Sequence, residues 1–123
     1  MHYYDDAVMR ERRVAFEKRL GTSLAISMKK MFGCPCYKID GRLFAFLVTD
    51  GLILTQLEDQ DRHKLLDDFR GEPFQAGKKT VHAWVQVPLV SQDQLVNYWL
   101  FVRRSCRLAA AGKRKITTGP RRR

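Results

Sequence analysis

Apolar positions recur with a helical period near the start of the chain. Met9, Phe16 and Leu20 share one stripe within a stretch that lacks Pro and Gly. This spacing predicts an amphipathic helix over Asp6–Leu20, with Gly21 as its stop. Asp5 or Asp6 is expected to accept hydrogen bonds from the first turn.

A second helical pattern begins close to the other end. Ser91 and Gln94 have the spacing of a capping box, and Val90 and Leu95 have that of a hydrophobic staple. The apolar stripe that follows consists of Leu95, Tyr98, Trp99, Val102, Cys106 and Ala109. The pattern predicts a long helix that ends at Gly112.

The middle of the chain has the shorter period of strands. Apolar runs separated by turn residues predict an antiparallel meander over residues 28–57. Its strands are expected at 28–32, 36–39, 42–48 and 52–57, with tight turns at Asp40-Gly41 and Asp50-Gly51. The run 42–48 is apolar on both faces, which is typical of a central strand.

A third helix and one more strand complete the predicted order. Residues 59–70 form a polar-flanked helix whose buried positions include Leu65, and residues 80–87 alternate as a strand that ends at Pro88. The order αβββ(β)αβα with antiparallel pairing predicts an α+β fold. We expect a two-layer sandwich, an antiparallel sheet with helices on one face.

Charge divides the chain into two parts. Of 23 Lys and Arg residues, 14 lie in residues 1–102 with all 13 acids, and nine lie in residues 103–123 with none. We therefore expect a domain at 1–111 and a basic, disordered tail at 112–123. Candidate nucleic-acid contacts are Arg103, Arg104, Arg107, Lys113, Arg114, Lys115, Arg121, Arg122 and Arg123.

The three cysteines offer little chemistry. Cys34 and Cys36 flank a rigid Pro35, and Cys106 stands alone, so a four-ligand zinc site is incomplete. We expect free thiols, no metal, no cofactor and a cytoplasmic protein that does not enter a membrane. A thiol-dependent enzyme that uses Cys34 and Cys36 is the weakest alternative.

Aromatic residues are expected on the sheet face away from the helices. If Val81, Ala83, Val85 and Val87 lie under the helices, Trp84 and His82 lie on the opposite face, and Phe44 and Phe46 can join them. Such a face requires a cover, which could be a partner subunit, a ligand or a segment of this chain.

Several motifs in order resemble the N-terminal module of the TfoX family of regulators. They are the segment 30–38 with its Met-Phe-Gly, the Gly-Arg-Leu-Phe-Ala of 41–45, the Glu-Pro-Phe of 72–74 and the Trp-Val-Gln-Val-Pro of 84–88. The resemblance covers about residues 10–110. Full-length members are bacterial competence and transcription activators with a second, helical domain, which this chain is too short to contain.

These observations predict a non-enzymatic interaction or regulatory module of bacterial origin. A homodimer through the sheet and a protein partner are the expected associations. The alternative is a small nucleic-acid-binding accessory protein that uses its cationic end without sequence preference.

Overall fold

A computed structural model describes residues 3–118, with side chains described for residues 3–112. These residues form an antiparallel sheet of six strands and three helices, which confirms the α+β class. The helices are α1 (Asp6–Leu20), α2 (Asp59–Asp68) and α3 (Leu95–Thr118). The strands are β1 (Ile26–Met31), β2 (Cys34–Ile39), β3 (Arg42–Val48), β4 (Gly51–Leu54), β5 (Glu72–Ala76) and β6 (Lys79–Pro88).

The sheet has the order β1-β2-β3-β4-β6-β5, so β1 and β5 are its edges. The predicted hairpin at Asp40-Gly41 is confirmed, because both residues have the positive φ that a type I′ turn needs. The turn after β3 lies one residue earlier than predicted and is centred on Thr49 and Asp50. Gly51 is instead the first residue of β4, where a Cβ atom would lie 2.9 Å from the Gln86 side chain.

The helix boundaries at the start of the chain follow the sequence closely. Asp5 caps α1 by accepting a hydrogen bond from the Ala7 N–H, and Gly21 ends it with φ 72°. Met9 and Phe16 are fully buried. Phe16 lies 4.8 Å from the Tyr37 ring and 5.3 Å from the Trp99 ring, so α1 and α3 share one face of the sheet.

The capping box at Ser91 and Gln94 is present, and a short 3-10 turn over Gln92–Gln94 leads into α3. Buried Ser105 fixes this helix to the sheet: its hydroxyl donates to the Phe44 carbonyl at 2.6 Å and accepts from the Gln56 N–H at 3.1 Å. The helix continues to Thr118, so the predictions that it ends at Gly112 and that residues 112–118 are disordered are wrong. The expected disorder of residues 119–123 lies outside the described residues.

The edge strand β5 was not expected from the sequence. The pattern predicts no strand between the helix at 59–70 and the strand at 80–87, and Pro is rare within sheets. An edge strand tolerates Pro73, since one side of that strand has no neighbour to receive an N–H. The predicted strand at 52–57 is also shorter than expected and ends at Leu54.

The sheet curls strongly at this end. A β-bulge between Pro73 and Phe74 bends the β5–β6 hairpin, so that Phe74 reaches Phe46 three strands away, at 5.2 Å between ring centroids. Trp84 lies 5.6 Å from Phe46, and Tyr3 lies 6.2 Å from Phe74. These four residues form an aromatic cluster on the sheet face away from the helices. The curl of β5 and β6 therefore covers the sheet face for which the sequence predicted a cover.

Each described helix is too short or too polar to cross a lipid bilayer.

The aromatic cluster predicts a stability effect at Trp84. Trp84→Ala should lower the free energy of unfolding by at least about 2 kcal/mol, because it removes a half-buried ring from two aromatic contacts. The control is His82→Ala on the same strand, where an exposed side chain should matter by less than about 0.5 kcal/mol. Urea unfolding measures both, and equal midpoints would contradict the cluster.

Candidate functional site

The predicted partner face is mostly enclosed. Phe44 is fully buried and Phe46 is 7% exposed, so neither is free to contact a partner. Trp84 is half-buried in the aromatic cluster, and His82 alone of this set is exposed. Their grouping as one open surface is therefore wrong, because the curl of β5 and β6 was not visible in the sequence.

The cysteines are free thiols in unreactive surroundings. Burial raises the pKa of the Cys34 thiol to about 11, and the neighbouring Cys36 thiol adds to the shift. Burial also raises the pKa of Cys36 and of Cys106. Within residues 3–112, no three His, Cys, Asp or Glu side chains come together as metal ligands would. The thiol-dependent alternative gains no support, since the thiolate is the reactive form.

The candidate nucleic-acid contacts divide into three groups. Arg103 and Arg107 are exposed on α3, whereas Arg104 donates to the nearly buried Asp61 of α2 at 2.7 Å. Arg104 therefore joins two helices, which corrects its interpretation as a phosphate contact. The side chains of Lys113, Arg114, Lys115 and Arg121–Arg123 lie outside the described residues.

A concave feature with a distinctive lining lies elsewhere, between α1 and the edge strand β1. It is a cavity of about 300 Å³, which we name the α1–β1 groove. Its lining combines charged, phenolic and apolar side chains: Tyr4, Asp6, Arg13, Glu17, Met28, Lys29, Lys30 and Pro35. The sequence pattern did not indicate this combination.

A chain of hydrogen bonds forms the α1 wall of the groove. The Tyr4 hydroxyl donates to Asp6 at 2.7 Å, and Arg13 donates to the same carboxylate at 2.8 Å. Arg13 also donates to Glu17 at 3.3 Å, and the buried Tyr37 hydroxyl donates to Glu17 at 2.8 Å. This polar chain connects the segment before α1, about three turns of α1 and strand β2.

The protonation states of these groups suit binding better than acid–base chemistry. Hydrogen bonds from Arg13 and Tyr4 lower the pKa of Asp6 to about 2, so it is a weak base at neutral pH. Burial raises the pKa of both Tyr4 and Tyr37, and the adjacent carboxylates raise it further. Each phenol therefore keeps its proton, and the wall is an array of fixed charges and donors.

The opposite wall is the open edge of the sheet. The Asp40 N–H donates to the Ala25 carbonyl, and the turn at Phe32 and Gly33 joins Met31 to its partner Cys34. Along an antiparallel ladder, hydrogen-bonded pairs alternate with pairs that are not hydrogen-bonded. Counted from the two hydrogen-bonded ends of β1, Met28 and Lys30 fall in the second kind of pair. Their backbone N–H and C=O groups therefore point away from β2. The pairing of Lys30 with Pro35, which has no N–H to donate, agrees with this alternation.

Side chains along β1 are exposed to an unusual degree for a strand. Five of its six residues are exposed, among them Met28 at 55%, and the adjoining Phe32 is 86% exposed. Met28 and Lys30 pair with Tyr37 and Pro35, so their side chains lie on the face where α1 forms the groove. An unpaired backbone edge and a side-chain cavity therefore lie next to each other.

The two lysines of β1 are not balanced by ion pairs within the described part of the chain. Asp6 and Glu17 are both occupied by Arg13 and by phenol donors, whereas Lys29 and Lys30 form no ion pair with any described residue. Lys29 and Lys30 lie on opposite faces of β1, because successive side chains of a strand alternate.

Comparisons with protein-family models, with curated proteins and with solved structures found no match for this chain. The resemblance to the TfoX N-terminal module stays a prediction.

The polar chain predicts that the Tyr37 hydroxyl stabilises the fold. Tyr37→Phe should lower the free energy of unfolding by about 1–2 kcal/mol, since it removes a buried hydrogen bond to the Glu17 carboxylate. Tyr3→Phe is the control, because the Tyr3 hydroxyl has no hydrogen-bond partner among residues 3–112. Chemical denaturation that shows equal losses for the two variants would contradict this assignment.

The lowered pKa of Asp6 predicts a loss of stability in acid. A carboxyl whose pKa falls on folding stabilises the native state above its ordinary pKa, and this contribution disappears as the pH falls toward about 2. Stability of the wild type should therefore drop more between pH 5 and pH 2 than that of Asp6→Asn. Thermal melting across this range measures the difference, and parallel curves would show that Asp6 does not take part.

Proposed function

We propose that this protein is a non-enzymatic interaction module that binds an extended segment of another polypeptide beside β1, as a further strand of the sheet. The observation that carries the proposal is the open edge of β1, with its outward backbone groups, directly beside the α1–β1 groove. Strand addition of this kind derives affinity from main-chain hydrogen bonds and specificity from pockets for alternate side chains.

The side chains of the groove support binding rather than catalysis. Its carboxylates are already hydrogen-bonded, its phenols hold their protons, and its guanidinium stays charged at any accessible pH. A general acid or base needs a pKa near the working pH, and the shifts move the pKa of Asp6 down and those of Tyr4 and Tyr37 up, away from neutrality. The exposed backbone edge of β1 offers N–H and C=O groups for new main-chain hydrogen bonds.

The proposal is compatible with the role that the TfoX resemblance implies. A regulator of this size acts through contact with larger components, and a peptide-binding edge supplies such a contact. Nucleic-acid binding has less support among the described side chains, because Arg104 pairs with Asp61 and the exposed residues of α3 include apolar Val96 and Leu100 as well as Arg103 and Arg107.

The proposal is tested with linear peptides selected from a random library against the full chain. On binding, the amides of Met28 and Lys30 should exchange hydrogen at least tenfold more slowly, because they gain carbonyl acceptors. Met28→Pro should weaken binding at least tenfold: it deletes an outward N–H while the bonds between β1 and β2 persist.

The matched control is Met28→Leu, which keeps the N–H and the apolar side chain and should bind like the wild type. Selected peptides that protect no amide of β1 would overturn the proposal. So would equal binding by Met28→Pro and Met28→Leu. The exchange measurement uses the wild type and decides the question even if the proline variant folds poorly.

A further inference from the structure

The charges around β1 indicate what kind of polypeptide fits this edge. We infer that the bound segment carries two adjacent acidic residues beside an apolar residue. This inference rests on the proposed function, since it assumes a strand next to β1, and it adds the chemistry of that strand.

Lys29 and Lys30 provide the first step. They are consecutive, exposed and without an ion-pair partner among the described residues, and their side chains lie on opposite faces of the strand. A strand paired with β1 places one of its residues opposite each lysine, about 5 Å away between Cβ atoms. Two adjacent acids would therefore meet one lysine each, one on either face of the sheet.

The groove strengthens this preference on the helix side. A residue opposite Lys30 points toward α1, where Arg13 lines the same cavity. Arg13 uses Nε for Asp6 and one terminal nitrogen for Glu17, and a guanidinium has five N–H donors in all. Its remaining donors and Lys30, which is unpaired among the described residues, suit a carboxylate, whereas an incoming lysine would find Asp6 and Glu17 already hydrogen-bonded to Arg13 and to the phenols.

Met28 determines which kind of residue the bound segment carries next to its two acids. Its side chain is 55% exposed, lies on the same face as Lys30 and lines the groove beside Pro35. The residue opposite Met28 therefore contacts an apolar side chain and the mouth of a cavity of about 300 Å³. An aliphatic or aromatic residue at that place would bury this surface.

A second copy of this chain is a less suitable occupant. Pairing of β1 with itself would bring two Lys29-Lys30 pairs into one two-stranded ribbon, with no acid in β1 to balance them. An acidic segment instead neutralises both lysines. Self-association is accordingly an outcome that the experiment must detect.

The test uses three capped peptides of eight residues, identical except for the two central residues, which are Glu-Glu, Gln-Gln or Lys-Lys, with a valine on either side. Binding is measured by calorimetry at low and at physiological salt. We expect the Glu-Glu peptide to bind about fivefold or more tightly than Gln-Gln, and the Lys-Lys peptide not to bind. The preference should shrink as salt rises.

Two double variants, each of which removes two positive charges, are compared with the wild type. Lys29→Gln with Lys30→Gln should abolish the preference for Glu-Glu. Lys78→Gln with Lys79→Gln, which changes two consecutive exposed lysines at the β5–β6 turn, should leave it intact. Equal effects of the two variants would indicate net charge alone and would overturn the inference.

The failures are distinguishable. Equal affinity of the three peptides, with the amides of Met28 and Lys30 still protected, overturns the inference and leaves the proposed function standing. Failure of the Glu-Glu peptide to bind at millimolar concentration also overturns the inference. A wild-type dimer in sedimentation that dissociates on Met28→Pro would identify a second copy as the occupant and would overturn it too.

Discussion

The contact of Arg13 with two carboxylates holds the outer part of this molecule together. Arg13 lies between Asp6 and Glu17 on α1, and each carboxylate extends the chain to a phenol, one on the entering segment and one on β2. The helix is thereby fixed over β2 at a set distance from the strand beyond it. The α1–β1 groove exists because α1 is held there while β1 projects past it.

Local chemistry made much of the fold predictable. The cap at Asp5, the stop at Gly21, the capping box at Ser91 and the turn at Asp40-Gly41 each depend on neighbours within a few residues. A sequence displays such neighbours directly. The apolar stripes of α1 and α3 were predictable for the same reason, since a helical face is a matter of spacing alone.

The features that were missed depend on residues far apart in the chain. The β5–β6 bulge, which brings Phe74 to Phe46, and the Asp61–Arg104 ion pair join segments between 28 and 43 positions apart. Pro73 concealed an edge strand because the sequence does not say which strand has a free side. A signal for the groove was present, however. Asp6, Arg13 and Glu17 are seven and four positions apart, so they form a polar stripe beside the apolar stripe of α1.

The two tryptophans lie on opposite sides of the sheet. Trp99 contacts Phe16 on the helix side, and Trp84 contacts Phe46 within the aromatic cluster. Each side of the sheet therefore contains one tryptophan, and the chain has no other. Fluorescence from each single-tryptophan form reports on one layer, so the order in which the two layers assemble during refolding can be followed without a chemical label.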